Sequence, residues 1–390
     1  MIDKLISICG KENVSVDLLD KLVYNYDASQ KKGSEALVIV WPRNEEQIRK
    51  IIVYCNRTNR NIVIRGSGTN LGGCVLPNNS IVLDLSKLNR VLEINLREKY
   101  VIVESGITVG QLKNILKKYK KMFPILPFAK KIATIGGMAG NDSFGEYSLK
   151  YGRMFDNILE IDVVDGTGKI FRTQRTRDFI GTEGCLGIIT KIKLKIIDEI
   201  IPKSLDLLSF DRGIELINKV KEIKDNENIL SMQYINKHAA EVAKIEKKHY
   251  LIVEYLSNEG KIQDIKNKKI IWNVKEKIFK GLISEKYNFI ESPSLDLNRA
   301  IEFLKLLRKK NIGLISHISL GIHLLFLKES QLYELREIFQ KIRENDGSVS
   351  NLGIGIKYKK SLSEKSVNEI KSLKAKYDPN NILNKGKLIN

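Results

Sequence analysis

The sequence predicts an α+β protein in which a second domain is inserted into the first. Helical and strand periods alternate along the chain, glycine-rich turns are concentrated before residue 200, and glycines return from Gly347 onwards. The 390 residues also exceed the usual size of one domain, about 100–200 residues. We therefore expect a first domain over 1–200, an inserted domain over 201–346 and a C-terminal segment, 347–390, that returns to the first domain.

The elements of the first domain follow from apolar spacing and from turn residues. A pair of short helices is predicted within residues 1–30, and a continuous apolar run predicts a strand at 36–40. Asn44 is placed as the N-cap of a helix at 45–57, with Gln47 at the spacing of a capping box. Further strands are predicted at 62–64, 81–85, 100–104, 158–164, 169–172 and 187–197, and a helix at 109–119.

Past Pro202 the sequence changes character, because strands and helices alternate with few glycines between them. This pattern is typical of an antiparallel sheet covered by helices. A last helix is predicted at 363–377, after the glycines have returned. In the inserted domain, helices are predicted at 214–224, 298–310 and 332–343, and strands at 250–255 and 312–320.

The formal net charge is +20, from 66 Lys plus Arg against 46 Asp plus Glu. Such a charge favours either a polyanionic partner or a lysine-rich solvated surface. We favour the surface, because acidic residues interrupt the lysine runs in segments such as 241–248 and 364–376. Aromatic residues are not interleaved on a basic stripe, so no nucleic-acid partner is expected.

The four cysteines, Cys9, Cys55, Cys74 and Cys185, have neither disulfide nor zinc-site spacing. They are expected to be small buried apolar residues in a reducing compartment. The N-terminus has no signal-peptide pattern and no stretch has the length of a membrane span. We therefore expect a cytoplasmic protein, with peripheral contact at the inner face of a membrane and a homodimer left open.

Three glycine-rich segments follow strands in the first domain. The first, 65–73, reads Arg-Gly-Ser-Gly-Thr-Asn-Leu-Gly-Gly, and its successive N–H groups suit an anion such as a pyrophosphate. It is neither a P-loop nor a dinucleotide-binding fingerprint, since it lacks the lysine of the one and the third glycine of the other. The second segment, 133–142, and the third, 181–190, carry similar small residues. Three such segments favour one large extended cofactor over three independent tight turns.

Further segments match a known family in the same order along the chain. Together they resemble the FAD-linked oxidases and dehydrogenases of the vanillyl-alcohol oxidase type, and most of all the glycolate oxidase and D-lactate dehydrogenase branch. The resemblance covers about 1–198 and 347–390 well and the middle weakly. The matching segments are 26–29, 41–46, 65–70, 82–90, 133–137, 150–152, 181–190, 353–355 and 378–387.

The resemblance implies a PCMH-type FAD-binding domain of two α+β subdomains, with its core at about 34–198, and an inserted cap of antiparallel sheet and helices. It assigns the FAD pyrophosphate to the first segment. It also implies FAD held without a covalent bond, because that segment has no His or Cys at its centre and Cys74 lies beyond it. The FAD-binding residues that it implies are Arg65, Gly66, Ser67, Gly68, Thr69, Asn70, Thr134, Gly136, Gly137, Asn141, Asp142, Glu183, Gly184 and Ile189.

The chain departs from this branch at the substrate residues. The family's metal-binding motif, His-x-Gly-Asp-Gly-Asn-x-His, corresponds here to His317 and His323, which lie one residue closer together and lack the Asp and Asn between them. On a single strand they would share a face but lie far apart. A divalent metal at these histidines and two unconnected histidines both remain open.

The family's proton-accepting His is also absent, because Leu352 occupies its place and cannot accept a proton. The candidate catalytic residues that remain are His317, His323 and Tyr358, while Lys359 and Lys360 are candidate carboxylate anchors. The other two histidines, His238 and His249, are expected at the surface.

Two functions therefore stay open. One is an FAD-dependent oxidoreductase that oxidises a 2-hydroxy acid or related alcohol by hydride transfer to flavin N5, with an altered substrate site. The other is a non-catalytic FAD-binding subunit that transfers electrons within a hydroxy-acid dehydrogenase complex. The expected partners are a small-molecule substrate and either an electron acceptor or a partner subunit.

Overall fold

The computed structural model describes residues 1–29, 31–262, 277–278, 280–282, 284–287, 289–350, 355 and 362–389. The chain divides into two compact units. The first unit comprises Met1–Gly145, Gly152–Glu199 and Leu352–Asn390, and the second comprises Glu146–Tyr151 and Ile200–Asn351. The short segment Glu146–Tyr151 thus belongs to the second unit, although both of its sequence neighbours belong to the first.

The helices of the described residues lie in both units. In chain order they are α1 (Ile2–Cys9), α2 (Leu18–Tyr24), α3 (Glu45–Thr58), α4 (Val109–Lys117), α5 (Ile135–Gly140), α6 (Ser148–Tyr151), α7 (Gly213–Ile223), α8 (Lys237–Val242), α9 (Ala300–Lys309), α10 (Leu335–Glu344) and α11 (Glu364–Tyr377). None of them is long and apolar enough to cross a membrane.

The strands of the described residues form four sheets. In chain order they are β1 (Val14–Ser15), β2 (Ala36–Val40), β3 (Ile62–Arg65), β4 (Ser80–Asp84), β5 (Val91–Asn95), β6 (Tyr100–Glu104), β7 (Lys121–Met122), β8 (Ile158–Asp165), β9 (Ile170–Thr173), β10 (Gly187–Lys195), β11 (Ile197–Asp198), β12 (Ser204–Phe210), β13 (Ile229–Ile235), β14 (His249–Tyr255), β15 (Phe289–Glu291), β16 (Gly313–His317) and β17 (Ile322–Leu327).

The first unit contains a mixed sheet of strand order β1-β2-β4-β3, an antiparallel sheet of order β5-β6-β10-β8-β9, and the pair β11-β7. In the mixed sheet β2, β4 and β3 are parallel. Helix α3 packs on this sheet because Ile48, Ile51, Ile52 and Cys55 lie on one of its faces, and all four are fully buried. The Asn44 side chain caps α3 by accepting from Gln47 N, as predicted, whereas the Gln47 amide accepts from Arg43 N rather than from Asn44 N.

The second unit contains one antiparallel sheet of six strands, in the order β12-β14-β13-β16-β17-β15. Helices α7 and α9 carry buried apolar residues at helical spacing, including Leu216, Val220, Phe303 and Leu307. The α+β class, with an antiparallel sheet and helices in the inserted part, is confirmed. The four cysteines are free and buried, as the sequence predicts.

Two predictions about histidines are wrong. The stretch 312–320 is not one strand, because β16 ends at His317 and the chain turns at Gly321, whose φ is +64°, before β17 begins. His317 and His323 therefore lie on adjacent strands of a hairpin. His249 is not a surface residue, because it is 9% exposed and contacts the Tyr234 hydroxyl, whereas His238 is partly exposed and its Nε2 contacts the hydroxyl of Tyr287. Burial lowers the pKa of His249 to about 4.

Candidate active site

The first glycine-rich segment, 65–73, leaves the end of β3 as an open loop. The backbone N–H groups of residues 66–69 donate to no other residue that the structure describes. Ser67 is exposed and its neighbours in the loop are partly exposed, so these donors are accessible. Adjacent unpaired N–H groups in a glycine-rich loop form a site for an anion.

Arg65 holds this loop from behind. Its Nη1 donates to the Tyr26 carbonyl at 2.9 Å, and its guanidinium lies 4.9 Å from the centre of the Tyr24 ring. Gly68 has a φ of +71°, and a Cβ there would lie 2.4 Å from Nη2 of Arg65. Burial lowers the pKa of the Arg65 guanidinium. Arg65 therefore positions the loop through its backbone contacts, and only glycine fits beside it at position 68.

Asn70 ends the loop and joins it to the second segment. Its Oδ1 accepts from Gly72 N at 2.7 Å and from Cys74 N at 3.2 Å. Its Nδ2 donates to Oδ1 of Asn141 at 3.0 Å. The first and second segments are therefore directly bonded, through two residues that lie 71 positions apart in sequence.

The second segment approaches the first even more closely at Gly66. A Cβ on Gly66 would lie 2.2 Å from Oγ1 of Thr134, which also caps α5 by accepting from Gly137 N. A Cβ on Gly136 would lie 2.5 Å from Cβ of Ser105, whose Oγ is buried without a hydrogen-bond partner in the described part of the chain. The second segment is therefore closely packed at Gly66 and Gly136, and beside it lies the Ser105 hydroxyl, which has no partner among the described residues.

The third segment, 181–190, lies against the second. The N–H groups of Gly181 and Glu183 donate to the carbonyls of Ala139 and Gly140, at 3.0 and 2.8 Å. Glu183 is 5% exposed, and its Oε2 accepts from Gly355 N at 2.7 Å. The C-terminal part of the chain is therefore also tied to this region.

The other predicted residues of these segments have structural contacts. Asp142 has a φ of +46°, and its Oδ1 accepts from Phe155 N at 2.8 Å. A Cβ on Gly184 would meet Nδ2 of Asn384 at 3.3 Å. Ile189 is buried on β10, where it pairs with Val163 of β8.

Several contributors were not predicted from the sequence. Lys387 is 3% exposed, and its ammonium group donates to the carbonyls of Leu76, at 2.6 Å, and Gly73, at 3.3 Å. Burial lowers its pKa. Asn384 Oδ1 accepts from Ile64 N. Both residues belong to the matching segment 378–387, so the motif was a signal for them, whereas nothing in the sequence singled out Ser105.

These residues fit FAD. The open N–H groups of 66–69 suit its pyrophosphate, and the glycine-lined second and third segments leave backbone close to an extended ligand. The buried, unpartnered Oγ of Ser105 beside Gly136 is a polar atom that a bound group would satisfy. The three segments that the sequence singled out are therefore brought together in the first unit.

The two candidate catalytic histidines have different environments in the second unit. His323 is fully buried, with Nδ1 2.8 Å from Oγ of Ser316 and its ring 5.1 Å from that of Phe303 on α9. Burial lowers its pKa to about 4, so it is neutral. His317 is half-buried, and it ends β16.

The remaining substrate-site predictions are only partly covered by the structure. Within the described ranges, no group of three or more His, Cys, Asp or Glu side chains is placed to hold a metal ion. Tyr358, Leu352, Lys359 and Lys360 lie outside the described residues.

Comparison with known proteins identifies both halves of the sequence. A model described as "FAD binding domain" matches residues 36–174, and one described as "FAD linked oxidases, C-terminal domain" matches residues 194–388.

Two curated relatives are similar over part of their length. The glycolate oxidase subunit GlcD of Bacillus subtilis (strain 168) is 33% identical over 50% of this chain and 44% of its own length. A mitochondrial D-lactate dehydrogenase [cytochrome] of Arabidopsis thaliana is 35% identical over 41% of this chain and 30% of its own. The match thus spans less than half of the length of either relative.

Solved structures share the fold. An alkyldihydroxyacetonephosphate synthase matches 98% of this chain and 84% of its own, with a TM-score of 0.76 and 17% identity. A substrate-bound p-cresol methylhydroxylase matches 99% of this chain and 96% of its own, with a TM-score of 0.73 and 16% identity. Since the second family model alone matches half of the sequence, the chain belongs to the family of FAD-linked oxidases, and FAD is its cofactor.

Proposed function

We propose that the chain is an FAD-dependent oxidoreductase that oxidises a 2-hydroxy acid or a related alcohol. The observation that carries the proposal is the convergence of the three glycine-rich segments around the open N–H groups of residues 66–69. The names of the relatives, a glycolate oxidase subunit and a D-lactate dehydrogenase, support a CH–OH substrate.

The cofactor, when bound, supplies a hydride acceptor at its flavin N5. The residues of the chain then have to hold it and to remove a proton from the substrate. We assign the pyrophosphate to the N–H groups of Gly66, Ser67, Gly68 and Thr69, without a covalent bond. Asn70, Thr134, Gly136, Gly137, Asn141, Asp142, Glu183, Gly184 and Ile189 shape the rest of the site, and Arg65 positions the first loop.

We assign the proton acceptor to His317 rather than to His323. A general base has to reach the substrate and to change its protonation state near the operating pH. His323 is enclosed beneath Phe303 and has a pKa of about 4, so it meets neither condition. His317 is partly exposed at the end of β16.

The direct experiment is anaerobic reduction of the purified protein. We expect a yellow protein whose visible flavin bands bleach when an oxidisable alcohol is added, with D-lactate, glycolate and D-2-hydroxyglutarate as the first acids tried. A protein that stays colourless after reconstitution with FAD would contradict the proposed function at its first step.

A second function is favoured by one specific observation, the presence of Leu352 where the family has its proton-accepting His. It is an accessory FAD-binding subunit that transfers electrons to a partner, which acts on the hydroxy acid. The Bacillus relative is itself named as a subunit. A yellow protein that no alcohol or hydroxy acid bleaches, but that a chemical reductant does, would support this alternative.

A further inference from the structure

One face of the sheet in the second unit carries buried polar side chains. Strands β13 and β14 are antiparallel, with Ser231 opposite Glu254 and Gln233 opposite Ile252. Directly opposed residues share a face of an antiparallel sheet, and residues two apart on one strand do so as well. Ser231, Gln233 and Glu254 therefore lie together on one face.

The opposite face of this sheet is covered by helices. Tyr234 of β13 pairs with Ser316 of β16, and Ser316 pairs with His323 of β17. The His323 ring lies against Phe303 of α9, so this row of residues faces that helix. The polar residues, one position away along β13, face the other side.

Glu254 is a buried carboxylate with little compensation. It is 4% exposed, and its Oε2 accepts from Oγ of Ser231 at 2.6 Å. None of the described cationic side chains makes an ion pair with it. A buried carboxylate without a cation is costly unless hydrogen-bond donors surround it.

Two further polar side chains lie there without partners. Gln233 and Tyr147 are each 6% exposed, and neither side chain forms a hydrogen bond with another described residue. Tyr147 belongs to the segment that places α6 against β13. Burial, and then the charge of Glu254, raise the pKa of Tyr147, so its hydroxyl stays protonated. The polar atoms of both side chains are not fully enclosed, so they can exchange water for the polar groups of a ligand.

His317 lies on the same side. Ser316 faces the helices through its contact with His323, and side chains alternate along a strand. His317 therefore faces the side of Gln233. The proposed proton acceptor and the partnerless polar groups are thus on one face of one sheet.

We propose that Ser231, Gln233, Glu254 and Tyr147, the polar face, bind the hydroxyl groups of an uncharged substrate that carries at least two of them. This inference rests on the proposed function and narrows its substrate class. A carboxylate accepts O–H donors, while an amide and a phenol supply both donors and acceptors. The same carboxylate repels a substrate that carries its own carboxylate.

The first test compares pairs of compounds that differ only in a CH₂OH group against a carboxylate. Ethylene glycol is compared with glycolate, propane-1,2-diol with lactate, and glycerol with glycerate, in anaerobic flavin bleaching of the wild-type protein. We expect the second-order rate constant of flavin reduction to be at least tenfold higher for the neutral member of each pair. Equal rates or faster bleaching by the acids would overturn the inference while leaving the proposed function intact.

The second test neutralises the carboxylate. In Glu254→Gln we expect the KM for the neutral compounds to rise at least fivefold with less change in kcat, and the discrimination against the acids to fall. The matched control is Asp206→Asn, because Asp206 pairs with Val253 on the helix-covered face of the same sheet and contacts the Tyr255 hydroxyl. This control should leave the discrimination unchanged. Equal effects of the two variants would overturn the inference.

Calorimetric titration with glycerol separates the inference from the proposed function. In one outcome, glycerol binds to the wild-type protein, Glu254→Gln weakens this binding, and glycerol does not bleach the wild-type flavin. This outcome would uphold the polar face and overturn the proposed oxidation. Absence of glycerol binding to the wild-type protein would overturn the polar face as a substrate site.

Discussion

Nδ2 of Asn70 donates a hydrogen bond of 3.0 Å to Oδ1 of Asn141, so a pair of side-chain amides joins the first and second glycine-rich segments. The other atom of the same amide, Oδ1 of Asn70, accepts from the N–H groups of Gly72 and Cys74. A single side chain therefore fixes both the end of the pyrophosphate loop and its distance from the second segment.

Asn70→Ala should release both constraints. It leaves the buried N–H groups of Gly72 and Cys74 without an acceptor, and each such loss costs about 1–3 kcal/mol. We expect a lower free energy of unfolding in urea and a lower ratio of FAD to protein. Asn141→Ala is the matched control, since it removes the bond between the two segments but leaves Oδ1 of Asn70 to accept from Gly72 and Cys74; it should lose less stability than the Asn70→Ala variant. Wild-type FAD content in both variants would contradict this role.

Gly66→Ala should prevent the close approach of the first two segments. Its Cβ would lie 2.2 Å from Oγ1 of Thr134, so the loop has to move. We expect loss of FAD, measured by visible absorbance after gel filtration. Gly140→Ala is the control in the same region, because its Cβ would meet Cα of Glu183 at an ordinary 3.8 Å.

The same contact predicts a rescue. In the double variant Gly66→Ala with Thr134→Ala, the clashing Oγ1 is gone, and FAD binding should partly return. The return is incomplete because Thr134 also caps α5, and loss of an N-cap costs about 1 kcal/mol. A double variant that binds less FAD than Gly66→Ala alone would show that the contact is not what limits the loop.

The two buried histidines of the second unit predict a loss of stability in acid. Burial lowers the pKa values of His249 and His323 from 6.5 to about 4. Between these values the unfolded chain binds more protons than the folded one, so stability falls as the pH falls from about 6.5 to about 4. The urea midpoint should decrease over this window.

His323→Leu should reduce that decrease. The variant removes one titrating group, and Ser316 keeps a partner because its Oγ also donates to the Ile322 carbonyl at 3.0 Å. The contribution at pH 4 is about 2–3 kcal/mol by linkage, so the variant and the wild type should converge in stability as the pH falls. Parallel stability curves for the two proteins would refute the assignment.

Lys374→Met should loosen the C-terminal segment. Lys374 is 9% exposed, and its ammonium group donates to Asp378 at 2.6 Å and to the carbonyls of Cys185 and Leu383, each at 2.7 Å. Removing one partner of a buried ion pair costs about 3–5 kcal/mol.

We expect urea unfolding of Lys374→Met to show this decrease in the free energy of unfolding. Adding Asp378→Asn should lower the free energy of unfolding by less than it does alone, since the carboxylate that Lys374→Met leaves unpaired is then replaced by a neutral amide. Lys376→Met is the control: it removes an exposed lysine two residues away, whose ammonium group lies 4.4 Å from the centre of the Tyr377 ring. Additive losses in the double variant would contradict a coupled pair.

The sequence specified some elements to the residue and missed others for physical reasons. The strands at 36–40 and 100–104 are found where the apolar pattern predicts them. Helix α5 was not predicted, because glycine has low helix propensity and half of its six residues are glycines. It forms because Thr134 caps it and Gly136 N is held by the Ser105 carbonyl.

The sequence likewise predicts one part of the candidate site and not the other. The glycine-rich segments were recognisable because close backbone approach restricts which residues fit. The histidines were misplaced because lysine-rich neighbours suggested exposure for His249, and because the turn at Gly321 depends on a contact with Leu295, 26 positions away in sequence. The polar face could not be predicted from the sequence, since its members come from three separate stretches of chain.

The placement of Glu146–Tyr151 in the second unit has a consequence for synthesis of the protein. The chain enters and leaves the second unit twice, so Tyr147 emerges from the ribosome long before its partner strands at 229–235 and 249–255. The polar face cannot be assembled until those strands have been made, and an excised fragment that begins at Ile200 would lack one of its four members. The substrate-binding surface therefore forms late in synthesis, when strands made late pack against a segment that was made much earlier.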